Sequence, residues 1–266
     1  PRNGSVSGPD LARFIQEAVI GTKLADNLWV DGGIFYSHIG TESWISRDNL
    51  TYTHSLVGDF TPAYQSGVKL TWQATPTITA QLDVVNGWQI ISESNSSKSA
   101  GIRIDYALLA STVVSYYNYL GDEAADSLPG RQLRFFNGVG VKTSLSARWQ
   151  FLAQADYGTQ ERAAGLRSAS WYGGALVGHY QATPAVAVVG RVERYDDRDQ
   201  AIVATGLPDG FRVNGVSLGV DVTPAPRLLW RNEVRGFQGA HAVFPKQDDG
   251  PSRDDAFAVS SLALTF

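Results

Sequence analysis

The sequence predicts an all-β protein and, within that class, a transmembrane antiparallel up-and-down β-barrel. Three features support this prediction: long strands of alternating polarity, connections that alternate between short and long, and aromatic residues near the strand ends. Tilted strands of about 9–11 residues are long enough to cross a bilayer. Outer-membrane barrels join such strands by short turns at one end and by longer loops at the other.

Thirteen segments alternate between apolar and polar residues, and most exceed the roughly 5–6 residues of an average strand. In one of them Trp149 and Phe151 lie on one face, whereas Gln150 and Gln154 lie on the other. We therefore expect a loop-like segment at 1–11 and a barrel domain at 12–266. The predicted strands cover 12–23, 27–36, 62–75, 78–90, 98–109, 111–121, 131–143, 147–158, 169–181, 185–196, 211–222, 227–238 and 254–266.

The connections between these segments fall into two sets. One set is short, as in "ADN" at 25–27 and "TPAP" at 223–226, and the other is long and polar, as at 37–61 and 239–253. Within the first long connection, 40–49 is compatible with one helical turn. In outer-membrane barrels the short turns are periplasmic, so the last strand is expected to run towards the periplasm.

The direction of the first and last strands constrains the number of strands in the barrel. Thirteen strands would give the first and last strands the same direction, whereas bacterial single-chain barrels have an even number. We expect about 14 strands, with the first strand missing from this chain or not identified, and 12 strands as the alternative. The segment 49–58 also alternates moderately and is the likeliest site of a miscount.

The composition excludes several other classes. Charged residues make up 18% of the 266 residues, below the roughly 25% of a typical soluble domain. The net charge is −4 with no block of like charges, so no nucleic-acid partner is expected. The absence of cysteine excludes disulfides and thiolate metal sites. No run of about 18 apolar residues predicts a transmembrane helix, and no cofactor, metal ion or catalytic group is expected.

Aromatic residues near the strand ends are expected to form girdles at the two membrane interfaces, where an amphipathic ring contacts both lipid and water. The alternative is that these rings form the core of a soluble barrel. The tryptophans expected in the girdles are Trp72, Trp88, Trp149, Trp171 and Trp230.

Charged residues on the polar face of the strands are expected to line the pore. Opposed charges at a constriction would set the ion preference of a channel. Alternatively, the same charges form pairs that plug a narrow barrel. A barrel of 12 or more strands favours the pore, because diameter grows with strand number. The expected pore-lining residues are Arg103, Asp105, Arg134, Asp156, Arg191, Glu193, Arg231, Glu233 and Arg235.

Several motifs resemble the OmpL-like beta-barrel porin family of Gram-negative outer membranes. They are Asn-Gly-Trp at 86–88, Trp-Tyr-Gly at 171–173, and Arg-Val-Glu at 191–193 before an Asp pair at 196–197, followed by a terminal "LALTF". The resemblance covers most of 12–266 and implies an outer-membrane porin-like protein. It also implies that Phe266 is the assembly signal read by the outer-membrane assembly machinery.

The function predicted from the sequence is passive diffusion of small hydrophilic solutes or ions through a charged lumen. A narrow or plugged barrel that serves as a structural subunit of an envelope complex is the alternative, and an outer-membrane enzyme is less favoured. The expected partners are the lipid bilayer, lipopolysaccharide, and a homo-oligomer or larger envelope complex. Acidic clusters such as Asp196, Asp197 and Asp199 could bind Ca²⁺ or bridge lipopolysaccharide, although such clusters are more often solvated loop charges.

Overall fold

A single antiparallel sheet of 13 strands dominates the computed structural model, in which residues 15–91, 95–124, 126, 130–163, 165–246 and 250–266 are described. Each strand pairs with the next one along the chain, as in an up-and-down barrel. The strands are β1 (Ala18–Ala25), β2 (Leu28–Tyr36), β3 (Tyr64–Thr75), β4 (Ile78–Val85), β5 (Ser99–Leu109), β6 (Thr112–Asp122), β7 (Leu133–Ser144), β8 (Trp149–Gln160), β9 (Ala169–Thr183), β10 (Val186–Asp197), β11 (Phe211–Ala225), β12 (Leu228–Gly239) and β13 (Asp254–Leu264).

All 13 predicted strand segments are strands in the structure, and most ends agree within two or three residues. The first strand differs most, because β1 begins at Ala18 instead of residue 12. The predicted loop-like segment 1–11 and residues 12–14 lie outside the described residues. The alternation of polarity therefore located the strands correctly along nearly the whole described chain.

The strand count excludes the alternative of 12 strands. Among the described residues, β1 pairs only with β2 and β13 pairs only with β12, so the two edges are not joined. The suggestion of an extra strand at 49–58 is wrong, because this segment folds back against the strands and contains a short helix. A fourteenth strand between the two edges stays a prediction.

The outer face of the sheet is apolar and exposed. On β11, for example, Val216 and Leu218 point outwards and are 58% and 62% exposed, whereas Val213 and Ser217 on the inner face are buried. A soluble monomer rarely exposes a continuous apolar surface of this kind. A lipid-facing wall explains it, because the alternating side chains then meet hydrocarbon outside and protein inside.

The connection between β2 and β3, called loop 37–63, folds over the inner face of the sheet. It contains a 3₁₀ turn (Ser46–Asp48), which confirms the helical turn predicted at 40–49, and a one-turn helix α1 (Leu56–Asp59). The Ser55 side chain caps α1 by accepting a hydrogen bond from the Gly58 amide. In the described part of the chain, no helix is both long and apolar enough to span a membrane.

Two halves of the inner face differ in character. Towards the long-loop end, the aromatic cluster of fully or nearly fully buried rings packs against Leu56 and Val57 of loop 37–63. Towards the short-turn end, polar side chains border cavities. The rings of the aromatic cluster are Phe35, Trp88, Tyr117, Tyr119, Phe136, Trp171, Tyr195 and Phe211.

Of the five tryptophans expected in the aromatic girdles, three lie on the outer face and two are buried inside, which contradicts the prediction for those two; a girdle formed by the other three stays a prediction. Trp72, Trp149 and Trp230 point outwards near the short turns and are partly exposed. Trp88 and Trp171 are only 8% and 1% exposed, because they belong to the aromatic cluster inside. The position of a tryptophan near a strand end does not show which face of the sheet it is on. Alternation along β9 places Trp171 on the inner face, and Trp88 follows the end of β4 and turns inwards.

Candidate functional site

The candidate site is the set of contacts by which loop 37–63 crosses the inner face. The loop leaves the sheet between β2 and β3, and its backbone reaches side chains of β5, β8, β10 and β12. Helix α1 packs against β8, β9 and β10. Because these strands lie far from β2 and β3 in the strand order, the loop divides the interior.

Arg231 on β12 holds the short-turn side of the loop. Its guanidinium donates to the carbonyl oxygens of Ser46 at 2.6 Å, Asn49 at 3.0 Å and Leu50 at 2.7 Å. Asp221 on β11 balances the charge at 3.0 Å. A guanidinium has five donors in a fixed plane, so one side chain satisfies three carbonyls that would otherwise lack partners.

Arg191 on β10 holds the next part of the loop in the same way. It donates to the Thr53 carbonyl at 2.6 Å and to the hydroxyls of Thr51 and Thr53. Glu233 on β12 accepts from the Thr53 amide at 2.8 Å and pairs with Arg191 at 3.0 Å. The strands and the loop thus share one buried ion pair.

Glu193 joins the helix of the loop to Arg235. Its carboxylate accepts from the Leu56 amide at 2.6 Å and from the Arg235 guanidinium at 2.9 Å. The two side chains meet across β11, where a Cβ on Gly215 would come within 2.6 Å of the Glu193 carboxylate. A glycine there keeps the space between β10 and β12 open for this ion pair.

Asp59, at the end of α1, faces Arg235 at 3.6 Å. The Asp59 side chain is 43% exposed, and its partial desolvation beside the strands raises its pKa to about 6, although the charges of Arg235 and His54 lower it and those of Glu42 and Glu193 add to the rise. The loop therefore places a carboxyl group that ionises near neutral pH beside the Glu193–Arg235 pair.

Arg103 on β5 holds the start of the loop on the other side. It donates to the carbonyls of His38 at 2.9 Å and Gly40 at 2.7 Å. Asp105 and Ser115 complete its hydrogen bonds. Arginines of β5, β10 and β12 therefore bind backbone carbonyls at the start and along the middle of the loop.

The predicted pore-lining residues all lie on the inner face, but they do not form two opposed rings. Five of them meet on β10 and β12, where Arg191, Glu193, Arg231, Glu233 and Arg235 are all buried. Each charge has a close opposite charge, so the transverse field expected from unpaired rings is largely cancelled. Whether these residues line a conducting pore stays a prediction.

Arg134 and Asp156 lie apart from this group, against the aromatic cluster. Arg134 stacks over Trp88 with 5.0 Å between guanidinium and ring centre, and it faces Glu123 at 3.6 Å. Asp156 accepts hydrogen bonds from the Tyr117 hydroxyl and the Gln154 amide, both at 2.8 Å. These two residues hold the packed half of the interior together.

Two cavities follow one side of loop 37–63. The first, of about 230 Å³, lies between the loop and β5, β7 and β8, and it reaches the loop ends at Tyr36 and Ala63. The second, of about 370 Å³, lies nearer the short turns and is lined by Ser111 and Ser144. Lys142 lines both, so its side chain stands where the two cavities meet.

The comparisons with known proteins identify the family. The family model described as "Putative beta-barrel porin-2, OmpL-like" matches residues 2–266. The chain belongs to this family. The expected localisation in the outer membrane is confirmed with it, as is the porin class predicted from the sequence.

Solved structures with a similar fold include an outer-membrane channel, an outer-membrane protein and an anion-selective porin. The channel DcaP of Acinetobacter baumannii matches with a TM-score of 0.67 at 12% identity, over 90% of this chain and 72% of that one. OmpT of Vibrio cholerae gives 0.66 at 8% identity, over 95% and 81%. The anion-selective porin of Comamonas acidovorans gives 0.58 at 11% identity, over 89% and 70%. Curated protein sequences give no match.

The acidic residues suggested as a Ca²⁺ site have other partners in this porin. Asp196 pairs with Arg194 and Arg212, and the buried Asp197 accepts three backbone amides from 201–203. Asp199 binds Arg167. The residues that the structure describes contain no group of three or more potential metal ligands, so the Ca²⁺ suggestion is wrong for these three carboxylates.

Sequence reasoning missed two parts of the porin's site. It treated loop 37–63 as an external loop and left Lys142 out of the pore-lining set. The length of this first loop was a visible signal, but its targets on β5, β10 and β12 are far away in sequence. Lys142 could have been found, since alternation places it two residues after Gly140 on the inner face.

Proposed function

We propose that the porin is a narrow channel in which ions and small hydrophilic solutes pass along one side of loop 37–63, beside Lys142. The observation that supports this route is that Lys142 lines both cavities on that side. Elsewhere the loop backbone is hydrogen-bonded to side chains of β8, β10 and β12. Only a solute of small cross-section would then pass without displacing the loop.

The charges along the route are mixed, because Lys142 and Arg103 line it together with Glu42 in the first cavity and Asp48 in the second. Within the described residues, the Lys142 ammonium has no hydrogen bond or ion pair. Arg103, which also lines the first cavity, is neutralised by Asp105 at 2.8 Å. Glu42 is occupied by the amide and hydroxyl of Ser55 at 2.9 and 2.6 Å. An unpaired cation at a constriction attracts anions and repels cations.

Single-channel recording in a planar bilayer tests this proposal. In a KCl gradient, Lys142→Glu should shift the reversal potential of the porin towards cation selectivity. Lys69→Glu is the matched control, because Lys69 is also on the inner face but pairs with Asp31 at 3.2 Å and lines neither cavity. Equal shifts in both variants, or none in Lys142→Glu, would remove Lys142 from the route.

The packed aromatic cluster favours a second candidate, the plugged barrel with a structural role in an envelope complex. It fills the long-loop half of the interior, so a conducting path has to pass beside it. Repeated insertions of the wild-type porin without channel openings would support the plugged barrel over the channel. We assign no catalytic residue in either case.

Oligomerisation also belongs to this proposal. One of the similar solved structures is a trimer form of Vibrio cholerae OmpT. A homo-oligomer of this porin is therefore supported by analogy of fold alone, and a mass measurement in detergent would test it.

A further inference from the structure

The outer face of β10–β13 carries a concave basic site near the long-loop end, called the arginine pocket. Its volume is about 350 Å³. Alternation places Arg194 and Arg212 on the outward side of their strands, opposite the buried Tyr195 and Phe211. The pocket is lined by Arg194, Arg212, Asn214, Gln238, Gly239, Ala240, Arg253 and Asp254.

Asp196 positions two of the three arginines. One of its carboxylate oxygens accepts from Arg194 at 3.0 Å and from Arg212 at 3.3 Å. The hydroxyl of Tyr172 donates to the same oxygen at 3.1 Å, and Arg194 also donates to Asn214 at 3.1 Å. Two guanidinium groups are thus fixed side by side, which lowers the entropy lost when they bind a ligand.

Arg253 covers the pocket from the connection before β13. It donates to the carbonyls of Gly239 and Ala240 at 3.4 and 2.7 Å. Each guanidinium has five N–H donors, and the hydrogen bonds found for Arg194, Arg212 and Arg253 use only one or two of them. Most donors of the pocket are therefore available to a ligand.

The pocket lies where the apolar outer wall ends. On β10 the outward residue before Arg194 is Val192, and on β11 the outward residue after Asn214 is Val216; both valines are more than half exposed. An outer-membrane barrel meets lipid hydrocarbon along such a surface and lipid headgroups immediately above it. The long-loop end faces the outer leaflet if the short turns are periplasmic.

We propose that the arginine pocket binds the phosphate groups of lipopolysaccharide in the outer leaflet. Arginine forks match phosphate oxygens with paired, charge-assisted hydrogen bonds. Three arginines outnumber the two carboxylates at the site, Asp196 and Asp254, so the pocket favours an anion. Its outward position beside the apolar wall selects a phosphorylated lipid over a soluble phosphate. Arginines, instead of a Ca²⁺ bridge, then make the contact with lipopolysaccharide.

Two lipid probes test the proposal on the full-length wild-type porin in detergent micelles. One is lipid A with both phosphates, and the other is the same acylated sugar without phosphate. Native mass spectrometry and titration should show at least about tenfold tighter binding of the phosphorylated lipid, the ratio that one charge-assisted hydrogen bond provides. Equal binding of the two lipids would overturn the proposal. So would displacement of lipid A by inorganic phosphate at an equal concentration, because the site would then recognise soluble phosphate.

Variants locate the site. The double variant Arg194→Gln/Arg212→Gln should lose most of the preference for phosphorylated lipid A. Arg167→Gln is the matched control, because Arg167 is a highly exposed arginine at the same end that pairs with Asp199 outside the pocket; it should retain the preference. An equal loss in both would show non-specific charge attraction and contradict the proposal.

Folding is checked by the shift in gel mobility on heating. If the double variant does not fold, Arg253→Gln replaces it, because the hydrogen bonds of Arg253 go to two carbonyls, of Gly239 at the end of β12 and of Ala240 after it, and to no carboxylate. An unchanged phosphate preference in a folded Arg253→Gln porin would then contradict the assignment of the pocket.

Discussion

The long-loop half and the short-turn half of the interior are built by the same strands in different ways. On β6, Tyr117 and Tyr119 are fully buried in the aromatic cluster, whereas Val113, nearer the short turn, borders a cavity. On β10, Tyr195 lies in the cluster and Arg191 holds the loop. One half therefore resembles the core of a soluble protein, and the other resembles a channel vestibule.

Loop 37–63 belongs to both halves. Leu56 and Val57 are buried in the aromatic cluster, while Asp48 and Asn49 line cavities in the short-turn half. Apolar packing should therefore provide most of the stability of the packed half. In the other half, hydrogen bonds to arginines fix the position of the loop without filling the space around it.

The largest effect is expected from Trp171→Ala. The Trp171 ring packs with Trp88 and Phe136 and lies under the guanidinium of Arg134, so its removal leaves a cavity in the packed half. We expect a loss of about 3–5 kcal/mol in the free energy of unfolding, measured by urea titration in lipid vesicles with gel mobility as the readout.

Trp230→Ala is the control for this prediction. Trp230 is on the outer face, 42% exposed, and donates one hydrogen bond to Ser260. Trp230→Ala should therefore lower the free energy of unfolding clearly less than Trp171→Ala does. Equal losses for the two variants would mean that the packed half is not a core, and would restore the girdle interpretation of Trp171.

The contrast between these tryptophans shows what the sequence could and could not predict. A period of two identified all 13 strands and the opposite faces of Trp149, which is exposed, and Gln154, which is buried. It also placed the charges of β10 and β12 on the inner face. Alternation distinguishes two faces, however, and does not show whether the inner face meets water or packed protein.

The missing information is non-local. Arg231 was expected to face a pore, but its three carbonyl partners come from residues more than 180 positions earlier in the chain. No local pattern links Arg231 to Ser46. The close contact between Thr41 and Gly140 could not be predicted from the sequence either. It depends on the position that loop 37–63 takes once the strands have paired.

A smaller loss is expected from Arg191→Met, which tests the short-turn half. The change leaves the Glu233 carboxylate buried without its cation, although Thr53 still donates two hydrogen bonds to it. Removing one partner of a buried ion pair typically costs 3–5 kcal/mol, and we expect about 3 kcal/mol because of these hydrogen bonds. The midpoint of urea unfolding in lipid vesicles measures this loss of stability.

The same variant should also loosen the loop, since the Thr53 carbonyl loses its donor. Single-channel conductance should therefore rise or become noisier in Arg191→Met, whereas Trp171→Ala should mainly affect stability. Arg167→Met is the control, because its exposed ion pair with Asp199 is worth at most about 1 kcal/mol. An Arg191→Met porin as stable as the control would contradict the anchoring role.

The smallest effect is expected from Gly140→Val, at the contact between the loop and β7. A Cβ at residue 140 would collide with the side chain of Thr41. The backbone amide and the hydroxyl of Thr41 both donate to the side-chain oxygen of Gln154. Overpacking of this kind costs about 1–3 kcal/mol, because the loop has to move or Gln154 has to lose its partners. Urea titration in vesicles again measures the loss.

Gly236→Val is the control, because Gly236 lies in β12 of the same sheet and a Cβ there would meet no atom within 4 Å. It should leave stability unchanged or slightly higher, since valine favours strands and would face lipid. Equal losses in both variants would show that the sheet itself rejects valine. A loss confined to Gly140→Val would instead show that loop 37–63 rests against β7. The loop would then be held by side-chain contact with the wall as well as by the arginines, and the first cavity would keep its width only while that contact is intact.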